Sequence, residues 1–281
     1  MNTTVTRGPM LHPRLAVLMR QDGQVQLGWD PEAAVIVQLP GPPEAVPRLL
    51  RLLDGVTALS QILSAAGTLG FEAETTRLFL AELEAAGLLL ERTPARLRNV
   101  RVHGRGPLSD ALVDGVRRIG LRAARSCEAD AVGSGSPDLV VLADALVPDP
   151  ACTRELMRRR IPHLQVRIRD GRGVIGPLVL PGVTSCLRCA DLHRCDREPE
   201  WPQLAAQLFG RTGYASPAGI AAAAALALNE IETVAHGSPA RAPATLNATL
   251  ELNLDSHRLD CRRWIAHPQC GCGVIRERTP L

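Results

Sequence analysis

The sequence predicts two domains in series: an α+β, winged-helix-like N-terminal module over residues 1–95, then an α/β domain over residues 96–281 that carries a structural metal site. Three observations predict this. Short apolar runs between polar turns give way near residue 43 to helical periodicity. Near residue 95 that periodicity gives way to strand–helix alternation, and two cysteine doublets frame the last third of the chain. A length of 281 residues fits one or two domains, and 46% hydrophobic content supports a sizeable core. Only 2% of residues are aromatic, so that core must be built from Leu, Val, Ile and Ala.

In the first module, Leu15 to Arg20 reads as a strand, Gln21-Asp22-Gly23-Gln24 as a hairpin turn and Val25 to Gly28 as the return strand. Ala34 to Leu39 is a third strand, closed by Pro40-Gly41-Pro42-Pro43. Helical patterns follow over about Pro43–Leu53, Leu59–Ala66 and Ala73–Ala86, the last with an apolar stripe of Leu78, Leu80, Leu83 and Leu88. A small sheet before three short helices is the order of a winged-helix-like module. Gly87 and the stretch Glu91-Arg92-Thr93-Pro94 place its boundary near residue 95.

The second domain begins with a strand at Val100–His103, a tight turn at Gly104–Ser109 and a helix over Asp110–Ile119. Leu121–Ala124 is a weaker strand, followed by a Gly/Ser loop at Gly133–Ser136. Asp138–Asp144 reads as a buried parallel strand, Pro150–Arg160 as a helix and His163–Ile168 as another strand, and Val174–Leu180 extends the sheet into the first cysteine doublet. Ser216–His236 is a long helix, capped by Ser216 with Pro217 at its first position. Thr249–Leu254 and Arg258–Trp264 form a hairpin leading to the second doublet, so both doublets are expected at the edge of this domain.

Composition excludes several chemistries. All 32 basic residues are arginine, so a phosphate-binding lysine, a Schiff base and a catalytic ammonium are absent from the chain. A net charge of +3 does not argue for nucleic acid, and Arg158-Arg159-Arg160 reads as a solvated helix end. No membrane partner is expected: no window reaches ~18 unbroken apolar residues, and the alanine-rich run Ile220–Leu228 is too short. Met1–Met10 has no apolar signal core. Without such a signal, eight cysteines point to a reducing cytoplasm.

Cys186-Leu187-Arg188-Cys189 and Cys270-Gly271-Cys272 offer four thiolates as two close pairs, which suits one tetrahedral zinc. Pro181-Gly182 before the first pair, and the glycines around the second, suggest that both are turns. Packing cysteines, or a redox Cys-x-x-Cys, are the alternatives; redox chemistry leaves Cys270 and Cys272 unexplained. Gly104-x-Gly106, between a strand and a helix, is half of a phosphate cradle. Ser109 replaces its third glycine and Pro107 removes an amide donor. Glu128 and Asp130 lie near the expected ribose-binding acid but follow a weak strand.

The stretch Pro181-Gly-Val-Thr-Ser-Cys186-Leu-Arg-Cys189-Ala-Asp-Leu-His-Arg194, followed by Glu200-Trp201-Pro202 and His267-Pro268-Gln269-Cys270-Gly271-Cys272, resembles the ThiF-like partner proteins of bacteriocin-type thiazole/oxazole peptide biosynthesis. The resemblance covers nearly the whole chain and implies a PqqD-like precursor-recognition module at the N-terminus and a degenerate ThiF/Rossmann-like second domain. It implies a non-catalytic role: holding the leader of a ribosomally made peptide and presenting its core to a YcaO-type ATP-dependent cyclodehydratase. A homodimer is left open. The zinc position fits Cys186, Cys189, Cys270 and Cys272 residue by residue, while Cys127, Cys152, Cys195 and Cys261 have no assigned role. The sequence departs from active adenylating enzymes: the loop Gly104, Gly106, Ser109 is broken, lysine is absent, and Leu142 stands where an acid is expected, with Asp144 as a substitute. ATP binding is therefore not expected.

In a module of this order the third strand is a sheet edge to which an extended peptide can add. Ala34, Val35, Ile36 and Val37 would form that edge. Thr76, Arg77, Phe79, Leu80 and Leu83 would line the adjacent groove, unless the apolar ones simply fill the core; Arg77 would meet an acidic leader. An active adenylating enzyme and a zinc-stabilised winged-helix DNA-binding regulator are the competing readings. Glu72, Glu74, Glu82 and Glu84 make the third helix too acidic for DNA.

Overall fold

The computed structural model describes residues 8–20, 24–90, 97–128, 135–236 and 242–273. The expected hairpin turn at 21–23, the stretch 91–94 and Asp130 lie outside them. The chain divides into two compact units, Met1–Arg92 and Thr93–Leu281.

In the first unit β1 (Val17–Met19), β2 (Val25–Leu27) and β3 (Val35–Val37) form an antiparallel sheet in the order β1-β2-β3. A single helical turn at Pro43–Ala45 leads into α1 (Val46–Arg51), and α2 (Leu59–Thr68) and α3 (Ala73–Ala85) follow. Their apolar faces meet in one core that includes Leu27, Leu49, Ile62, Phe79 and Leu83. Two bridges, Met10 to Asp54 and Leu11 to Leu89, tie the segment before β1 to this core; they lack the length or alternation that would announce a strand. The Gly28 amide donates to Ala16 and the Arg20 amide to Gln24, so Gln26 of β2, with Gly28 and Gln24 flanking it, carries the bonds toward β1. Antiparallel alternation then turns Val25 and Leu27 toward Val37 and Val35. Consequently Ile36 is the β3 residue whose backbone groups face away from the sheet, and its side chain is 50% exposed.

The second unit is built on a seven-stranded sheet in the order β10-β9-β8-β7-β6-β4-β5. β4 (Asn99–His103), β5 (Arg122–Ser126), β6 (Leu139–Ala143) and β7 (His163–Arg169) are parallel. β8 (Arg172–Val179), β9 (Ala248–Asn253) and β10 (Arg258–Arg263) continue the sheet antiparallel, the last two as the expected hairpin. β6 is buried along its whole length, as a central strand covered on both faces must be.

One face carries α4 (Pro107–Arg118) and α8 (Pro217–His236) over Val102, Val141, Leu164 and Val166. They approach closely at Gly115, where an added Cβ would lie 2.2 Å from Leu228. Among the described residues α8 alone is long and apolar enough to cross a membrane. Here it is a core helix, with Ala223, Ala227 and Ile231 buried in this cluster and its buried Glu230 accepting from the Thr245 amide and hydroxyl. The other face carries α5 (Pro150–Arg158) and α6 (Leu187–Arg197), packed over Val140, Leu142 and Val179. α7 (Trp201–Leu208) follows α6 and is not among the elements expected from the sequence, although Trp201, Leu204, Ala205 and Leu208 recur at helical spacing; none of its residues is buried.

Leu164→Ala should cost about 2–5 kcal/mol, because it deletes a fully buried side chain from the main core, whereas Ile36→Ala should change stability by under about 0.5 kcal/mol. Urea unfolding of the full chain, monitored by circular dichroism, measures both.

Candidate functional site

The four doublet cysteines converge. Cys186 Sγ lies 3.7 Å from Cys189 and 3.6 Å from Cys270, Cys189 lies 3.6 Å from Cys272, and all four sulfurs fall within 4.8 Å of one another. Sulfurs bound at ~2.3 Å to one tetrahedral ion would be about 3.8 Å apart. The spacing therefore fits a metal ion such as zinc.

Local structure corrects one expectation about this cluster. The Pro181-Gly182 turn ends before Cys186, which instead occupies the position ahead of the first turn of α6, with Cys189 inside that turn. Cys186, Leu187 and Cys189 are buried against Val140, Leu142, Cys152 and Leu156 on the sheet face, and Cys270 and Cys272 are half-buried. The helix N-terminus places two thiols where its amide dipoles favour negative charge. Cys189, accepting from the Cys186 thiol, has its pKa pushed down to about 4. Cys186 is correspondingly held up as the donor, and burial pushes Cys270 up to about 11.

Each cysteine pair has its own support. The Ser185 amide donates to Asn247 Oδ1 at 2.7 Å and the Leu180 amide to Thr184 Oγ1 at 2.8 Å, which fixes the approach to Cys186. Across the site, Trp264 donates through its indole to Thr249, and the Cys270 amide donates to His267 O. His193, Asp196 and His267 also bring donor atoms within 4.8 Å of one another. His267 Nδ1 accepts from the Gln269 amide, so Nε2 carries the proton and donates to Asp196 at 2.8 Å. With its lone pair engaged, His267 is a strut between α6 and the second doublet rather than a ligand. Of the remaining cysteines, Cys152 is buried, Cys127 and Cys261 are exposed and Cys195 is half-buried.

A second constellation lies at the ends of β4 and β6, where strand order reverses around β4. α4 begins at Pro107, earlier than expected, so Ser109 belongs to its first turn and its hydroxyl accepts from the Gly106 amide while donating to Gly106 O. Asp144, buried and at φ 68°, accepts from the Leu108 and Ser109 amides at 3.2 Å. A Cβ on Gly106 would lie 2.7 Å from the Asp144 carboxylate. Arg125 donates to Gly104 O and Ser109 Oγ and pairs with Asp110. Sequence reasoning weighed Asp144 only as a substitute acid; its positive φ and helix-capping role are legible only in three dimensions. Glu128 is exposed beyond β5.

In the first unit Thr76, Phe79, Leu80 and Leu83 are buried, the last three within its core, and the Thr76 hydroxyl donates to Glu72 O. The groove expected beside α3 therefore loses these four as lining residues. Arg77 is exposed and pairs with Glu74 at 3.3 Å, while Ala34, Val35 and Val37 are half-buried beside the exposed Ile36.

Solved structures share this architecture. A heterocyclase in complex with substrate and cofactor aligns over 96% of this chain and 40% of its own, at 23% identity and a TM-score of 0.67. The likeness is one of fold. The heterocyclase TruD aligns over 95% of this chain and 43% of its own (19% identity, TM-score 0.65), and E. coli MccB with ATP over 94% and 99% (12%, 0.59). The chain thus spans about two fifths of the two heterocyclases and nearly all of MccB. No protein-family model and no curated protein matches the sequence.

Metal analysis of the purified protein should find about one ion per chain. Serine at Cys186, Cys189, Cys270 or Cys272 should release it and lower the melting temperature, while serine at Cys195 or Cys261 should do neither. Metal-free protein of unchanged thermal stability would contradict the site.

Proposed function

We infer that this chain is a non-catalytic binding protein for the leader segment of a ribosomally made precursor peptide, presenting the core to a YcaO-type cyclodehydratase for azoline or azole formation. The first unit acts as a winged-helix, PqqD-like recognition module and the second as a degenerate ThiF-like scaffold closed by a four-cysteine zinc. Residues 1–95 and 96–281 are the functional division. Two lines support the reading: the fold shared with two heterocyclases more than twice as long, and the motif resemblance around the cysteines.

The competing reading is an adenylating enzyme, favoured by the full-length likeness to MccB, whose solved complexes include one with ATP. The observation that favours the binding protein is Asp144. Its carboxylate takes the two amides that a phosphate would need at the start of α4, Pro107 offers none, and Arg125 is engaged with Asp110. An anion entering there would meet a buried negative charge with no lysine to offset it. Calorimetry with ATP and magnesium should show no binding in the micromolar range. Micromolar affinity, or peptide-dependent pyrophosphate exchange, would reinstate the enzyme.

The leader adds to β3 as a further strand, using the outward backbone groups of Ile36. Val35 and Val37 bond inward, so proline at either would disrupt the sheet itself, whereas Ile36→Pro removes only the outward donor. The Ile36 variant should weaken a labelled leader peptide by about tenfold in fluorescence polarisation. Arg77→Glu should weaken an acidic leader more at low salt than at high salt. Unchanged affinity in the Ile36 variant, with the chain folded, would place recognition elsewhere.

A further inference from the structure

Between α5 and the cysteine-bearing start of α6 lies a cavity of about 720 Å³, walled on one side by Cys186, Cys270 and Cys272 of the sulfur cluster and by Asp191, which Arg194 holds at 2.7 Å. Its wall is apolar at Val147, Pro148, Pro150, Met157 and Leu187. Arg154 and Arg188 also line it; both are exposed and have no carboxylate partner among the described residues. Arg158, one turn on from Arg154, is held by Glu155. From the sheet, fully buried His163 lines the same space. Its Nδ1 lies 2.9 Å from Ile161 O, to which it can only donate, so Nε2 keeps a lone pair, and that atom is buried without a partner. Burial pushes the His163 pKa down to about 4, which keeps the ring a neutral acceptor at neutral pH.

A buried acceptor without a partner is costly, and a cavity that joins one to an apolar wall and two uncommitted guanidinium groups is matched by a specific chemistry. That chemistry is a carboxylate attached to an apolar body, with one N–H to donate inward. We propose that this cavity binds a short acidic–apolar peptide segment, its backbone N–H donating to His163 Nε2, its apolar side chain against Met157 and Leu187, and its carboxylate on Arg154 and Arg188. The choice of a peptide rests on the reading of this chain as a peptide-binding protein; the chemistry of the cavity does not. A precursor held by its leader on the first unit would then have a second point of attachment, and two weak contacts on one chain reinforce each other through effective concentration.

Of the methionines among the described residues, Met10, Met19 and Met157, only Met157 lines the cavity. Full-length, metal-loaded protein labelled with methyl-13C methionine, the Met157 signal being assigned with Met157→Leu, gives a direct readout. Titration with N-acetyl-Glu-Leu-Glu-Leu amide should move the Met157 methyl signal saturably and leave Met10 and Met19 unmoved. Arg154→Glu combined with Arg188→Glu should weaken the response about tenfold or more; both residues are exposed, so the variant keeps the core. His163→Phe, which keeps the ring and removes the acceptor, should weaken it at unchanged arginines. If N-acetyl-Lys-Leu-Lys-Leu amide moves Met157 equally, or no probe moves it, the inference is overturned. If octanoate alone matches the acidic peptide, the site belongs to a free amphipathic carboxylate and the peptide assignment is overturned. Leader binding that persists with Met157 silent removes this site alone; a Met157 response without leader binding removes the leader reading alone.

Discussion

The four-sulfur cluster is the constraint on which one whole face of the second unit depends. It joins chain segments 84 residues apart, the start of α6 and the turn beyond β10, at sulfur–sulfur distances of 3.6 Å. Four thiols that close cannot all ionise unaided. Within the Cys186–Cys189 pair one thiol donates to the other's sulfur, which eases a first ionisation of the pair, and that charge raises the cost of the others. A divalent ion reverses this, since it replaces the shared protons with bonds to all four. Loading of a metal there would therefore be coupled to closure of the α5–α6 face, and protons would oppose both. The His267–Asp196 strut acts in the same direction by fixing the loop of Cys270 to the helix of Cys189.

Asp144 shows the same physics applied to a helix end. The first amides of a helix need acceptors, and at a strand-to-helix turn a ligand phosphate commonly supplies them. In this chain a carboxylate from the end of β6 does so, and Gly106 has the space for it because it has no Cβ. The turn thus keeps the shape of a nucleotide cradle while satisfying its own donors. On the proposed reading, shape and activity separate at this one side chain.

Much of the architecture was legible because it rests on local patterns. Short apolar runs between turn residues marked the strands of both units, and period-3.6 stripes gave α2, α3 and α8 to within two residues at each end. The cysteine cluster was legible for a different reason: spacings of two and one residues force sulfurs into pairs, whatever the fold. What could not be read was placement. Pro181-Gly182 marks a turn, but the chain re-enters a helix by Leu187, and only packing on Val140 and Val179 decides that the cluster sits on the sheet face. Leu80 and Leu83 fit a core stripe and a groove lining equally well by spacing, and burial separates the two.

β7 is where sequence logic most misleads. His163, Gln165 and Arg167 alternate with Leu164, Val166 and Ile168, the pattern of a strand with one wet face. Yet both faces are buried, and His163 Nε2, Gln165 Nε2 and Arg167 Nε are all without partners. Arg167 does donate to Leu146 O, but burial pushes its pKa down to about 9, a measure of how poorly its charge is solvated. Orphaned buried polar atoms cost roughly 1–3 kcal/mol each, and three on one strand are more than packing alone would select, because apolar residues of similar size would remove the cost. The polar row begins at His163, the residue that opens onto the cavity beside the cysteines. Of this row only His163 lines that cavity, so a ligand there could relieve His163 alone, while Gln165 and Arg167 bear their cost inside the fold.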